Sequence, residues 1–170
     1  MSLLTGDARG DKILEGLELV NLMEKGGTVH VDVLKVPHHG SAHNLEDDFF
    51  RRITADHYVF SGNGEHSNPE RESFEMLMRA RPDADYTIHL TYPIDEIDRE
   101  SKKEWEEAQN TARKRKEENP HKNVKVKDDW SPEKQSLQAL FDEHPAFRER
   151  VSIVEKNEPH VINLLGELGF

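Results

Sequence analysis

Three groups of residues in this 170-residue chain combine side-chain type and spacing in a way that suits metal or acid–base chemistry. Asp7 closes the stretch Leu3-Leu4-Thr5-Gly6-Asp7. A carboxylate at a strand end can bridge two cations, because its oxygens diverge and a preceding glycine leaves room for close approach. Taken alone, an Asp in that place more often caps the following turn. His38 and His39 stand together in Lys35-Val36-Pro37-His38-His39-Gly40-Ser41, and neutral imidazole is a frequent metal ligand. Adjacent residues of an extended chain face opposite ways. One ring of the pair is therefore expected to ligate while the other packs or faces substrate, with no residue-level reason to prefer either. His66 lies in Ser61-Gly62-Asn63-Gly64-Glu65-His66-Ser67-Asn68-Pro69, a loop able to present donors to an oxyanion, where an imidazole can move a proton or clamp a phosphate. A solvated surface histidine is the plain alternative. His89 alternates with Ile88 and Leu90 and reads as a hydrogen-bonded strand residue.

These residues need elements to hold them. Residues 3–5 read as the end of a buried strand, which either has the natural start of the protein upstream of it, the expected case, or lies at a sheet edge. Ile13, Leu14, Leu17, Val20 and Met23 form a helical stripe over 11–25 that Gly26-Gly27 stops. Val29 to Val36 is β-branched and ends at Pro37. A helix over 45–53, a strand over 57–61, a helix over 69–81 capped by Asn68, and a strand over 86–91 follow. Strand and helix thus alternate through residues 1–93, which predicts an α/β layered domain. Asp7, His38, His39, Ser61, Asn63 and His66 all fall at or just past predicted carboxyl ends of strands, where α/β sheets bind ligands. Residues 94–132 predict a charged, solvated helix over 96–119 and a polar connector with a short strand over 124–126. Residues 133–170 predict a helix over 135–141 and closing strands over 151–154 and 160–165, packed on the same domain.

Composition narrows the function classes. Lys and Arg number 23 against 34 Asp and Glu, a net charge of −11, which argues against general attraction to phosphate backbones while leaving room for a local basic patch. The chain has no cysteine, so any transition metal would be held by His, Asp, Glu and water. No run of about 18 apolar residues suits a membrane span. A cytoplasmic protein without membrane attachment is the expectation.

The segments 3–7, 32–41 and 60–69, with their order and spacing, resemble the second half of metallo-β-lactamase-fold hydrolases, closest to the ComEC-like competence group, across roughly residues 3 to 92. The resemblance implies half of an αββα sandwich with a charged helical carboxyl-terminal extension. It also implies that Asp7 bridges two metals, usually zinc, that His38 or His39 completes the second metal's shell, and that His66 serves catalysis. The activity implied is hydrolysis of a phosphoester or related ester by metal-activated water, whose pKa falls from 15.7 toward ~7. Nucleic acid enters as a substrate by resemblance only. The chain departs from the family in having no His-x-His-x-Asp-His segment, and the His66 loop differs from the family's later motif. Isolated, this chain is expected to bind zinc weakly or not at all and to be inactive, its partner being the missing amino-terminal half or another copy of itself. The alternative is a non-catalytic protein-interaction module that retains part of the hydrolase fold.

Overall fold

The computed structural model describes residues 1–155 and 158–164. Five strands, β1 (Ser2–Leu4), β2 (Val29–Lys35), β3 (Ile53–Phe60), β4 (Thr87–Leu90) and β5 (Val151–Ile153), form one sheet in the order in which they occur in the chain. Every pairing is parallel. Right-handed crossovers between sequential neighbours carry the connections over the same face of a sheet. The helices α1 (Gly10–Leu19), α2 (Phe49–Arg52), α3 (Arg71–Ala80), α4 (Ile94–Glu118), α5 (Pro132–Gln135), α6 (Leu137–Glu143) and α7 (Pro145–Arg148) lie in those connections.

A single apolar cluster joins sheet and helices. It takes Leu34 and Val36 from β2 and its end, Tyr58 and Phe60 from β3, Ile13 and Leu17 from α1, Phe74 and Leu77 from α3, and Leu140 and Phe141 from α6. Phe60 stacks on Phe74 with ring centroids 4.1 Å apart, and Phe74 meets Phe141 edge-on at 5.8 Å. Burying side chains of this size supplies about 1.5–3 kcal/mol each. Within β3 the core residues run Ile53, Ala55, then Tyr58, Phe60. The strict alternation of a strand therefore slips by one residue at Asp56–His57, and the Ala55 amide donates to Tyr58 Oη at 3.0 Å across the slip. Past the slip, Val59 and His57 lie opposite the core residues, paired in register with Lys35 and Val33 of β2. The outer face of the sheet thus mixes the polar His57 and Lys35 with the valines Val33 and Val59.

The ends of the elements explain the departures from the predicted boundaries. α1 stops at Leu19, short of residue 25, because Asn21 takes a left-handed conformation (φ 57°) and the amides of Asn21 and Leu22 return to the carbonyls of Glu18 and Leu17 at 3.1 and 3.0 Å. Of the helix expected over 45–53 only Phe49–Arg52 forms. α3 begins at Arg71, with Glu70 at the cap position and no side-chain cap from Asn68. The strand over 124–126 does not form, and of the strand over 160–165 residues 160–164 are irregular while 165 lies outside the described residues.

α4 matches the expected charged helix closely, yet one face of it is packed rather than solvated. Ile94, Ile97, Ser101 and Gln109 are buried, and Asp98 caps α6 from outside, its carboxylate accepting the Leu137 and Gln138 amides at 2.8 and 3.1 Å. Arg71, 6 % exposed, ties α3 to α6 through Glu143 at 2.6 Å. No helix among the described residues is long and apolar enough to cross a membrane.

Candidate functional site at the strand ends

Two hydrogen bonds bring the first segments together at the carboxyl end of the sheet. Thr5 Oγ1 donates to the Lys35 carbonyl at 2.7 Å, and the His38 amide donates to the Gly6 carbonyl at 3.1 Å. They fix the Gly6-Asp7 turn beside the turn that follows β2. That turn is sharper than an extended chain allows: Pro37–Gly40 forms a 3₁₀ turn in which His38 and His39 have φ of 47° and 58° and Gly40 has φ of 96°. The expectation that the two imidazoles sit on opposite sides of a strand is thereby corrected, since neither residue is extended. Gly40 is required twice over. Its φ suits glycine, and a Cβ there would come within 2.7 Å of Phe60 Cδ1 and Pro69 Cβ.

The structure brings Asp7 to His39 and not to His38. His39 Nε2 lies 3.8 Å from Asp7 Oδ1, too long for a hydrogen bond, and His39 Nδ1 contacts Ser61 Oγ at 3.0 Å. The Ser61 hydroxyl thus fixes the ring that faces Asp7. Both partners of the longer contact are open to solvent, with Asp7 71 % and His39 49 % exposed.

The loop after β3 completes a cleft of about 240 Å³ lined by His39, Ser61, Asn63, Glu65, His66 and Tyr92, among others. His66 therefore does share a cleft with His39. Its position is set by α4: the His66 amide donates to Glu104 Oε2 at 2.5 Å, and Gly64, at φ 100°, lies so close to the Ile97 carbonyl that any side chain would collide. Asn63 Oδ1 accepts the Glu65 amide at 3.1 Å. Glu70 braces the cleft from behind, accepting from Ser41 Oγ at 3.0 Å and the Ala42 amide at 3.1 Å. Glu104 does not stand out in the sequence, because nothing local marks a residue of α4 as a neighbour of a loop 38 positions earlier.

A zinc ion takes ligands at about 2.0–2.2 Å and, in catalytic sites, three protein side chains. Asp7 and His39 are close enough to share one ion. Among the described residues, however, no group of three His, Asp or Glu side chains is placed to hold a metal. The donor set present does not fit a metal centre by itself.

A second histidine group stands apart from this cleft. His57 Nδ1 meets His89 Nε2 at 3.0 Å, and His89 Nδ1 meets His160 Nε2 at 2.8 Å. The expected hydrogen-bonded role of His89 is thus met on both ring nitrogens. Burial, with the adjacent His160 and His57 adding to it, lowers the His89 pKa from 6.5 to about 4. His89 is accordingly neutral at physiological pH.

No family model matches the chain, and no solved structure matches it. Curated sequences do. The chain is similar to microtubule-associated proteins over part of its length. Futsch of Drosophila melanogaster is 35 % identical over 77 residues, covering 42 % of this chain and 1 % of that protein. Microtubule-associated protein 1A is 34 % identical over 88 residues in Rattus norvegicus and 33 % over 81 in Homo sapiens, covering 49 % and 47 % of this chain. The chain spans 1 to 3 % of the length of these relatives.

Proposed function

We propose that this chain is a non-catalytic protein-interaction module that retains part of a metallo-β-lactamase-type hydrolase fold, of a kind carried within larger microtubule-associated proteins. The observation that carries the reading is the Asp7–His39 pair, which has no third His, Asp or Glu ligand placed with it among the described residues. Two solvent-open donors 3.8 Å apart are too few to hold a catalytic ion, and nothing around them excludes water. The partial similarity to proteins named for microtubule association supplies the setting. Calorimetric titration with zinc chloride is expected to give no stoichiometric site, and bis(p-nitrophenyl) phosphate is expected to stay intact with added zinc or manganese. Saturable co-sedimentation with assembled microtubules is the expected positive result. A stoichiometric nanomolar zinc site or metal-dependent turnover would overturn the reading.

One observation favours a second reading, the carboxyl-terminal part of a metal-dependent phosphoester hydrolase. Asp7 and His39 meet at the strand ends although 32 positions separate them in sequence. In that case a polypeptide bearing His-x-His-x-Asp-His, added in trans, would create a tight zinc site that Asp7→Asn abolishes.

A further inference from the structure

The charge of this protein is unevenly placed. Residues 111–127 carry seven Lys or Arg against two Glu, a net +5, which leaves 16 cations against 32 carboxylates, net −16, in the rest of the chain. The structure gathers those cations onto the end of α4 and the segment that returns along it. No residue of α4 beyond Gln109 is fully buried, and its last nine residues span about 14 Å at 1.5 Å per residue. The chain then turns at 119–122 and returns alongside the helix. Trp105 Nε1 donates to the Asp128 carbonyl at 2.9 Å, Gln109 Nε2 donates to the Lys127 carbonyl at 3.0 Å, and Arg113 pairs with Asp129 at 2.9 Å. Lys127 lies over the Trp105 ring at 4.2 Å. Lys114, Arg115, Lys116, Lys122 and Lys125 remain exposed, with no carboxylate partner among the described residues. An acidic protein with abundant carboxylates leaves five cations of one arm unpaired.

We propose that this arm, residues 110–127, docks an acidic peptide segment of a partner protein, an inference that rests on the interaction-module reading and supplies its chemistry. Charge complementarity sets the sign of the ligand, and two further features select a peptide among polyanions. The arm's length exceeds the screening distance of about 8 Å at physiological salt. A flexible peptide can therefore engage the tip without entering the field of the acidic body, whereas a duplex or a membrane plane brings further anionic charge against it. Residues 110–127 also contain no Phe, Trp or Tyr, and Lys127 sits over the ring of the half-buried Trp105, so the arm itself supplies no aromatic side chain for stacking nucleobases.

The test is fluorescence anisotropy of a labelled decaglutamate peptide with the full chain at low salt, about one-third of physiological ionic strength. Neutralising the arm (K114Q/K116Q/K122Q/K125Q) is expected to weaken binding about 10-fold or more, and raising the salt fourfold to weaken it similarly. Neutralising four cations outside the arm (K12Q/K25Q/R51Q/R79Q) changes the net charge equally and is expected to leave affinity within about twofold. Thermal melts followed by circular dichroism confirm that both variants fold. Absence of binding, equal loss in both variants, or tighter binding to a duplex oligonucleotide or to phosphatidylserine vesicles would overturn the proposal. Metal-dependent hydrolysis with peptide binding intact would instead overturn the non-catalytic reading and leave the arm's role standing.

Discussion

Gly40 shows how much a single residue carries at the strand ends. Its backbone must turn through φ 96° while passing within contact of Phe60 and Pro69, and it directly follows the imidazole that faces Asp7. Gly40→Ala is expected to cost about 2–3 kcal/mol through combined backbone strain and overpacking, seen as a lower urea midpoint at unchanged slope. The meeting of Asp7 with the paired histidines was legible in the sequence because both motifs terminate strands of one parallel sheet. The choice of His39 over His38 was not. It depends on two successive left-handed residues, a conformation that strand alternation does not anticipate. The partnership of His57, His89 and His160 was equally hidden, since it joins strand residues to a segment 71 positions farther on.

Elements were read more securely where pattern and stop signal agreed. α4 was anticipated to within two residues at its start because a long charged stretch after Pro93 admits little else. The sequence pattern extends α1 to Gly26-Gly27, the stronger stop signal by composition, whereas the left-handed Asn21 closes the helix first. What the charged stretch concealed was a structural duty for one of its carboxylates. Asp98 reaches across to cap α6, accepting from Ser136 Oγ at 2.6 Å as well as from two amides. Asp98→Ala is expected to lower stability by about 1–2 kcal/mol, the usual cost of a lost cap, with Asp98→Asn recovering part of it in the same thermal melt. Hydrogen exchange would show the loss concentrated in the amides of Leu137 and Gln138.

For the molecule as a whole, the His89 group links stability to pH. A histidine whose pKa is lower folded than unfolded binds fewer protons in the native state, so acid favours unfolding. Its contribution is complete above pH 6.5 and is lost as the pH falls from 6.5 toward about 4, amounting to at most about 3 kcal/mol. Urea midpoints measured across that window are expected to fall with acidity, and His89→Leu is expected to flatten the fall relative to wild type. A slope unchanged by the substitution would assign the acid sensitivity to the carboxylates.

The order of the strands also has a kinetic side. Pairing residues in β1 and β2, β2 and β3, and β3 and β4 are separated by 31, 24 and 30 positions, whereas Ile88 pairs with Val151 across 63. Closing the longer loop costs about 0.7 kcal/mol more in chain entropy, for a strand of three residues. β5 is therefore the strand to join last during folding, and the rest of the sheet can assemble ahead of it from near-neighbour contacts.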